Sequence, residues 1–396
     1  MIQERAHVAQ SSETIVKETL DSILPRPPYS TSTSFTSTDV DLGETILKAE
    51  SGDAAAQIHL GDIYCDPENG IEQDYSLAME WYKKAAAQDN TTAQYKLGYL
   101  YEKGFGVPQD DVQAFEWYLK SAEQGNVTAQ FRVGTCYRGC HSSAVEKNCK
   151  ASLEWFVKAA EQGMVEAEFM AGAIYMNDEH VDKDIDKAFS WLLKAAEKGF
   201  LEAMNMVGRM YLDGEGVLKD ETKASEWFLQ AAERGFANAQ CSIARLYMEG
   251  TGVAQDSKRA LEWFRKSAEQ GDVVAQLQLG LMLCSTKGDV KQDFEEARKW
   301  FEIAGREGKQ AHGLMFLGLV YHRGFEEAAE DHERARELYL LALEVQPDFE
   351  EAKGHLKDVE ELIEQDRRAA ARKEMGFVEA WISDVTSVYN ELKKLW

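Results

Sequence analysis

The sequence predicts an all-α solenoid, one elongated array of about eight stacked helical hairpins with helical caps. Three observations predict it. The stretch from Ala203 to Phe236, AMNMVGRMYLDGEGVLKDETKASEWFLQAAERGF, recurs along most of the chain. A tryptophan returns at one place in seven successive copies, Trp81, Trp117, Trp155, Trp191, Trp227, Trp263 and Trp300, spaced by 36 to 38 residues. Only 6 prolines occur in 396 residues, and few β-branched runs are present, as helix propensity requires. At this length an ordinary chain would form two or three domains, but a repeated unit of this size builds a linear array instead.

Within one copy, Ala203, Val207, Gly208, Met210 and Tyr211 fall on one helical face, and Ala224, Trp227, Phe228, Ala231 and Ala232 on another. Both sets follow the 3.6-residue period. Small residues at Ala203, Gly208, Ala224 and Ala231 allow close helix approach, while Trp227 and Tyr211 supply bulk. Gly235 follows the second helix where a left-handed C-cap is usual. No hairpin of this kind buries its apolar face alone, so each must stack on its neighbours.

In chain order, residues 1–40 stand outside the array. Ile15, Val16, Leu20, Ile23 and Leu24 suit one short amphipathic helix, ended by Pro25, Pro27 and Pro28, and Ser30 to Thr38 is nearly all Ser and Thr. Disorder is expected there. From Leu42 a half unit begins, since Ala49 to Asp53 (AESGD) parallels the end of a second helix at Ala122 to Asn126 (AEQGN). Full units start at Ala56, Ala93, Ala129, Ala167, Ala203, Ala239, Ala275 and Gly313. The eighth carries Leu338 at the tryptophan place.

These residues resemble the Sel-one-like repeat, a relative of the tetratricopeptide repeat. One unit carries the pattern in Ala93, Leu97, Gly98, Tyr101, Gly104, Gly106, Val107, Asp110, Ala114, Trp117, Ala122 and Gly125. The resemblance covers about residues 42 to 345. It implies a right-handed α/α superhelix, and a non-catalytic adaptor or scaffold that binds protein or peptide partners. Some fungal relatives activate chitin synthase, so a regulatory subunit of a membrane-associated enzyme is the alternative. Some secreted, cysteine-rich relatives are described as penicillin-binding or β-lactamase-like, but the S-x-x-K motif for that activity is missing.

Four units edit the loop between their helices: Cys65 to Gly70, Gly139-Cys140-His141, Asn177 to His180, and Ser285 to Gly288. After the eighth unit, Ala342 to Leu356 resembles the junction of a plain tetratricopeptide repeat and extends the solenoid to 356. Residues 357–396 are expected to cap it. Lys357 to Lys373 is charged around an apolar cluster of Val359, Leu362 and Ile363. Phe377, Trp381, Val385, Val388, Leu392 and Leu395 then make an amphipathic final helix,.

A formal charge of -25 and a pI near 4.8 repel phosphate backbones and anionic lipid, which argues against nucleic acid. No run reaches the length of a membrane span, and residues 1–11 lack a secretory signal. An intracellular, cytoplasmic setting with reduced thiols is expected. No cofactor is implied. The glycine pairs Gly104/Gly106, Gly214/Gly216 and Gly250/Gly252 begin like a dinucleotide fingerprint but follow no strand, so they read as turn glycines. Cys136, Cys140, His141 and Cys149 offer zinc-type donors. Their spacing is not that of a recognised finger, and Cys136 occupies the column of Leu100, Ile174, Met210 and Leu246, so no metal is assigned.

What remains is a surface. Offsets two, six and nine of the first helices vary in type more than the core offsets do, and share one face. They hold Tyr95, Tyr99 and Glu102, then Phe131, Thr135 and Arg138, then Phe169, Ala173 and Met176. Asn205, Arg209 and Leu212 follow, then Cys241, Arg245 and Met248, and Leu277, Leu281 and Cys284. By resemblance to tetratricopeptide arrays these line the concave side. The candidate groove is Tyr95, Tyr99, Phe131, Arg138, Phe169, Asn205, Arg209, Arg245 and Leu281, with apolar anchors at one end and carboxylate-binding groups further on. The other reading of the apolar positions is packing between adjacent first helices.

Overall fold

A computed structural model describes residues 42–66, 72–139, 145–178, 180–285, 289–324 and 331–369. The expected N-terminal tail and the final amphipathic helix lie outside the described residues. Those described are helical, with turns between and no strand among them.

The chain divides into two compact blocks, between Asp220 and Glu221. The first opens with α1 (Leu42–Glu50), then pairs α2 (Ala54–Cys65) with α3 (Tyr75–Ala86), α4 (Thr91–Lys103) with α5 (Asp111–Glu123), and α6 (Val127–Tyr137) with α7 (Cys149–Glu161). It continues with α8 (Val165–Asn177), α9 (Ile185–Glu197) and α10 (Leu201–Asp213). The second block holds α11 (Glu221–Glu233), α12 (Ala237–Glu249), α13 (Ser257–Glu269), α14 (Val273–Cys284), α15 (Phe294–Glu302), α16 (Ala311–Arg323) and α17 (His332–Val345). A further helix covers residues 350–369.

Local chemistry fixes each hairpin. Acceptor side chains cap the second helices: Asp74 accepts from the Leu77 amide, Asp110 from Val112 and Gln113, Asn148 from Ala151, and Asp184 from Lys187,. The same capping residues donate their own amides to the tyrosine carbonyls near the first-helix ends. Asp74 bonds to Tyr64, Asp110 to Tyr101, Asn148 to Tyr137 and Asp184 to Tyr175, at 2.7–3.0 Å. The cap that starts one helix thereby also closes the loop that follows the other. The fingerprint-like glycines have left-handed φ of 68–76°. A Cβ on Gly106 would lie 2.6 Å from the Tyr75 carbonyl carbon, and one on Gly216 would lie 2.7 Å from the Ile185 oxygen. These loops sit directly on the preceding second helix, which accounts for the glycines without a phosphate.

The core is centred one residue beyond the expected place. Among the repeated tryptophans only Trp81 is buried, and Trp117, Trp155, Trp191, Trp227, Trp263 and Trp300 are half-buried. The following residues, Tyr82, Tyr118, Phe156, Leu192, Phe228, Phe264 and Phe301, are fully buried, as is Tyr339 in the eighth hairpin. Several press on a first-helix glycine: a Cβ on Gly98 would meet the Tyr118 ring at 2.6 Å, and one on Gly280 the Phe301 ring at 2.5 Å. The tryptophan rings lie further out and take lysines on their faces. Lys84, Lys158, Lys194 and Lys266 lie 3.6–4.1 Å from the ring centroids of Trp81, Trp155, Trp191 and Trp263,.

A polar ladder runs beside this core. Gln88 donates to Gln57, Gln124 to Gln94, Gln162 to Gln130 and Gln270 to Gln240, at 2.7–3.0 Å. In the fourth hairpin Lys198 and Glu168 replace the glutamines and pair at 2.7 Å. The seventh departs most: residues Ile303–Glu307 make a π-turn after α15, with Gly305 against Gly313,.

Candidate functional site

The first-helix stripe splits into a filled part and an open part. In the first block the large side chains at offset two turn into the core. Tyr95 packs on Tyr118 with ring centroids 5.6 Å apart, Phe131 on Phe156 at 5.2 Å, and Phe169 on Phe200 at 5.0 Å. Phe131 and Phe169 are fully buried, and Tyr95 and Tyr99 are 6% and 5% exposed. Tyr95 and Tyr99 also share a cluster with Ala129 and Val133 of the adjacent first helix, whereas the ring partner of Phe131 lies on the second helix of its own hairpin. Thr135, Ala173 and Met176 are also buried.

Arg138 is buried too, and its partner is internal. Its Nη1 donates to Asp178 Oδ2 at 2.5 Å, with side-chain exposures of 5% and 4%. Asp178 belongs to the edited loop of the fourth unit, so the exchange of loop residues and the burial of Arg138 are one feature. Sequence reasoning missed this pair because the partners lie 40 residues apart on separate hairpins.

Two further ion pairs were missed, both at offset three. Lys96 Nζ lies 2.8 Å from Asp62 Oδ1, which also accepts the Tyr82 hydroxyl. Arg132 Nη1 lies 3.6 Å from Glu102 Oε2, which accepts from the Tyr118 hydroxyl at 2.7 Å. Burial opposes ionisation of Glu102, yet Arg132 and the hydrogen bonds from Lys103 and Tyr118 outweigh it and hold the carboxyl below its usual range,. The sequence carried no signal for them: the column of Lys96 and Arg132 holds His59, Met170, Met206, Ser242, Gln278 and Phe316 in other units, so a charge there is one polar variant among several.

The open part begins in α10. Asn205, Arg209 and Leu212 are half-buried there. In the second block Arg245 is exposed, and Cys241, Met248, Leu277 and Leu281 are half-buried. Neither Arg209 nor Arg245 makes a hydrogen bond or ion pair with a described residue. Arg245 lies near Cys241, whose thiol is pushed far up by burial and by Asp272.

Burial also dominates at Cys149 and Cys284. It pushes Cys149 up, with Asp178 adding to the effect, and Cys284 up to about 11. Such thiols stay protonated near neutral pH and are poor nucleophiles. A depression of about 300 Å³ lies over Cys149, lined by Lys147, Asn148, Lys150 and His180. Of the zinc-type donors, Cys140 and His141 lie outside the described residues. Cys136 is half-buried and Cys149 buried. Among the described residues no three His, Cys, Asp or Glu side chains converge as a metal-binding group. Nor is any described helix long and apolar enough to cross a membrane.

The profile of the Sel1 repeat matches the chain eight times, over residues 54–90, 91–126, 127–164, 165–200, 201–236, 237–272, 273–309 and 311–344. Among solved structures, the chain is similar to c5321 of uropathogenic Escherichia coli, a protective antigen displaying an SLR fold. That match has 34% identity and a TM-score of 0.73, covering 81% of this chain and 67% of the other. It is also similar to a Sel1 repeat protein from Oxalobacter formigenes, with 26% identity and a TM-score of 0.65, covering 86% and 99%. A search of curated proteins returns no match. Eight consecutive repeats over most of its length place this chain in the Sel1 repeat family, with an all-α superhelical repeat fold of a kind that commonly serves protein–protein interaction.

Proposed function

We propose that this chain is a non-catalytic adaptor that holds protein or peptide partners on the open part of its first-helix stripe. One observation carries the reading: Arg209, half-buried on α10 of the first block, has no ion-pair partner among the described residues, in a chain of net charge -25. Elsewhere the structure pairs its partly or wholly buried cations, as at Lys96, Arg132 and Arg138. An unpaired guanidinium flanked by half-exposed apolar side chains suits a carboxylate on an otherwise apolar peptide. Leu212 stands one turn beyond Arg209 on the first block, and on the second block, taken by itself, Met248 stands one turn beyond the exposed Arg245.

The buried aromatics Tyr95, Tyr99, Phe131 and Phe169 then act by holding the first helices in register. The test is quantitative affinity capture with the Arg209→Glu/Arg245→Glu variant, accompanied by the two single variants. Loss of partner recovery from a variant with unchanged circular dichroism and melting temperature supports the assignment. Unchanged recovery from that well-folded variant removes it.

A further inference from the structure

The seventh hairpin holds one residue more than its neighbours. From the repeated tryptophan to the leading residue of the next unit the interval is twelve in six hairpins, as from Trp227 to Ala239 and from Trp263 to Ala275, but thirteen from Trp300 to Gly313. The chain absorbs the extra residue in the π-turn Ile303–Glu307, where the Gly308 amide donates to the Ile303 carbonyl five residues back at 3.1 Å,. Everything between that turn and α16 therefore moves on by one place.

Two repeated roles are lost in the shift. Five places before the leading residue, Gln124, Gln162 and Gln270 donate to the preceding first helix. In the seventh hairpin that place holds Gly308, which has no side chain, and Oε1 of the buried Gln276 is left without a hydrogen-bond partner among the described residues. Four places before, Gly125, Gly163, Gly199, Gly235 and Gly271 take left-handed φ of 87–92°. In the seventh hairpin that place holds Lys309, at φ 49°, and a lysine there carries backbone strain that glycine avoids.

The eighth hairpin rests on this turn. α16 packs on both α15 and residues 303–307, with Phe316 against the fully buried Phe301 at 5.4 Å between ring centroids. A Cβ on Gly313 would lie 2.6 Å from the Gly305 nitrogen, so the contact is backbone on backbone. Beyond it the elements hold one another: Tyr339 of α17 seats on Gly318 of α16, and Arg336–Glu360 and Arg367–Glu333 tie α17 to the helix of residues 350–369. Strain and an orphaned buried acceptor both lower the cost of opening where they occur. We propose that residues 303–310 are a joint within the second block, at which α16, α17 and the helix of residues 350–369 part from α11–α15 as one unit and uncover the Phe301–Phe316 seam, while both sides stay folded.

The test is thiol labelling of the full chain without denaturant, read by peptide mass spectrometry. Ala304→Cys reports the joint, and Ala231→Cys reports the matching place of the fifth hairpin, since both alanines are fully buried. The thiol at 304 should react about tenfold or more faster than that at 231. Deleting Lys309 and replacing Glu307→Gln returns the interval to twelve, with a glutamine opposite Gln276 and Gly308 at the left-handed place; labelling at 304 should then slow to the rate at 231. Equal rates in the two parent variants overturn the proposal. So does unchanged labelling at 304 in the folded deletion variant, which assigns the opening to fraying of the chain end. If the deletion prevents folding, Lys309→Gly decides at unaltered length: slower labelling at 304 supports the joint, and an unchanged rate overturns it.

Discussion

Replacing Gly98 by Ala sets two effects of known sign against each other. Alanine in a helix interior is favoured over glycine by about 1 kcal/mol. The added Cβ would, however, stand 2.6 Å and 2.7 Å from Tyr118 Cδ1 and Cε1, and 3.1 Å from the Ala114 oxygen. Tyr118 is fully buried, and its hydroxyl is tied to Glu102 at 2.7 Å, so the ring cannot retreat without straining that bond. Overpacking costs about 1–3 kcal/mol, and a hydrogen bond to a charged group is worth about 1.5–3 kcal/mol. The expected net loss is about 1–3 kcal/mol, concentrated in the second hairpin. Gly354 is the control, since it is helical with nothing within 4 Å of a built Cβ. There Ala should stabilise by about 1 kcal/mol. Urea midpoints report the sum, and hydrogen exchange of peptides from α4 and α5 reports the place. If Gly98→Ala stabilises as Gly354→Ala does, the claim that glycine seats the buried aromatic is wrong.

Other consequences follow from the same packing. Phe228→Ala should cost about 3–5 kcal/mol and exceed Trp227→Ala in the same denaturation experiment, because Phe228 is fully buried and Trp227 is not. Breaking the Lys198–Glu168 pair with Lys198→Met should cost at most about 3 kcal/mol, since Lys198 is itself half-exposed,. Lys198→Gln/Glu168→Gln should recover most of that loss by restoring the glutamine rung found in neighbouring hairpins. Acid titration should weaken the first block through Glu102: its lowered pKa gives stability that is present above the unfolded value and is lost as pH falls through the folded one,. Glu102→Gln should flatten that part of the pH–stability curve. His322 acts in the same direction at the other end. Burial, His332 and His355 lower its pKa against the opposing Asp358, so stability is present above the unfolded value and lost on acidification,. Hydrogen exchange in residues 311–369 across mildly acid pH should show that loss, and His322→Gln should reduce it.

How the sequence relates to these results is clearest at particular residues. The tryptophan spacing, the loop glycines and the capping Asp and Asn residues specify the hairpins, because helix period, left-handed φ and capping are local properties that each copy states again. Repetition also sets architecture apart from variation, and so isolated the first-helix stripe. It could not tell which members of that stripe face outward. Phe131 and Arg209 occupy comparable variable positions, yet Phe131 is fully buried against Phe156 while Arg209 stays half-buried without an ion pair to any described residue. The burial of Arg138 depends on Asp178, a residue of the next hairpin's loop. The placement of Phe228 ahead of Trp227 in the core depends on how the two helices of a hairpin meet. Period and propensity act along the chain, so the sequence by itself determined the hairpins and their number. Burial and pairing depend on which hairpins lie side by side and at what distance, and only the tertiary structure decided them.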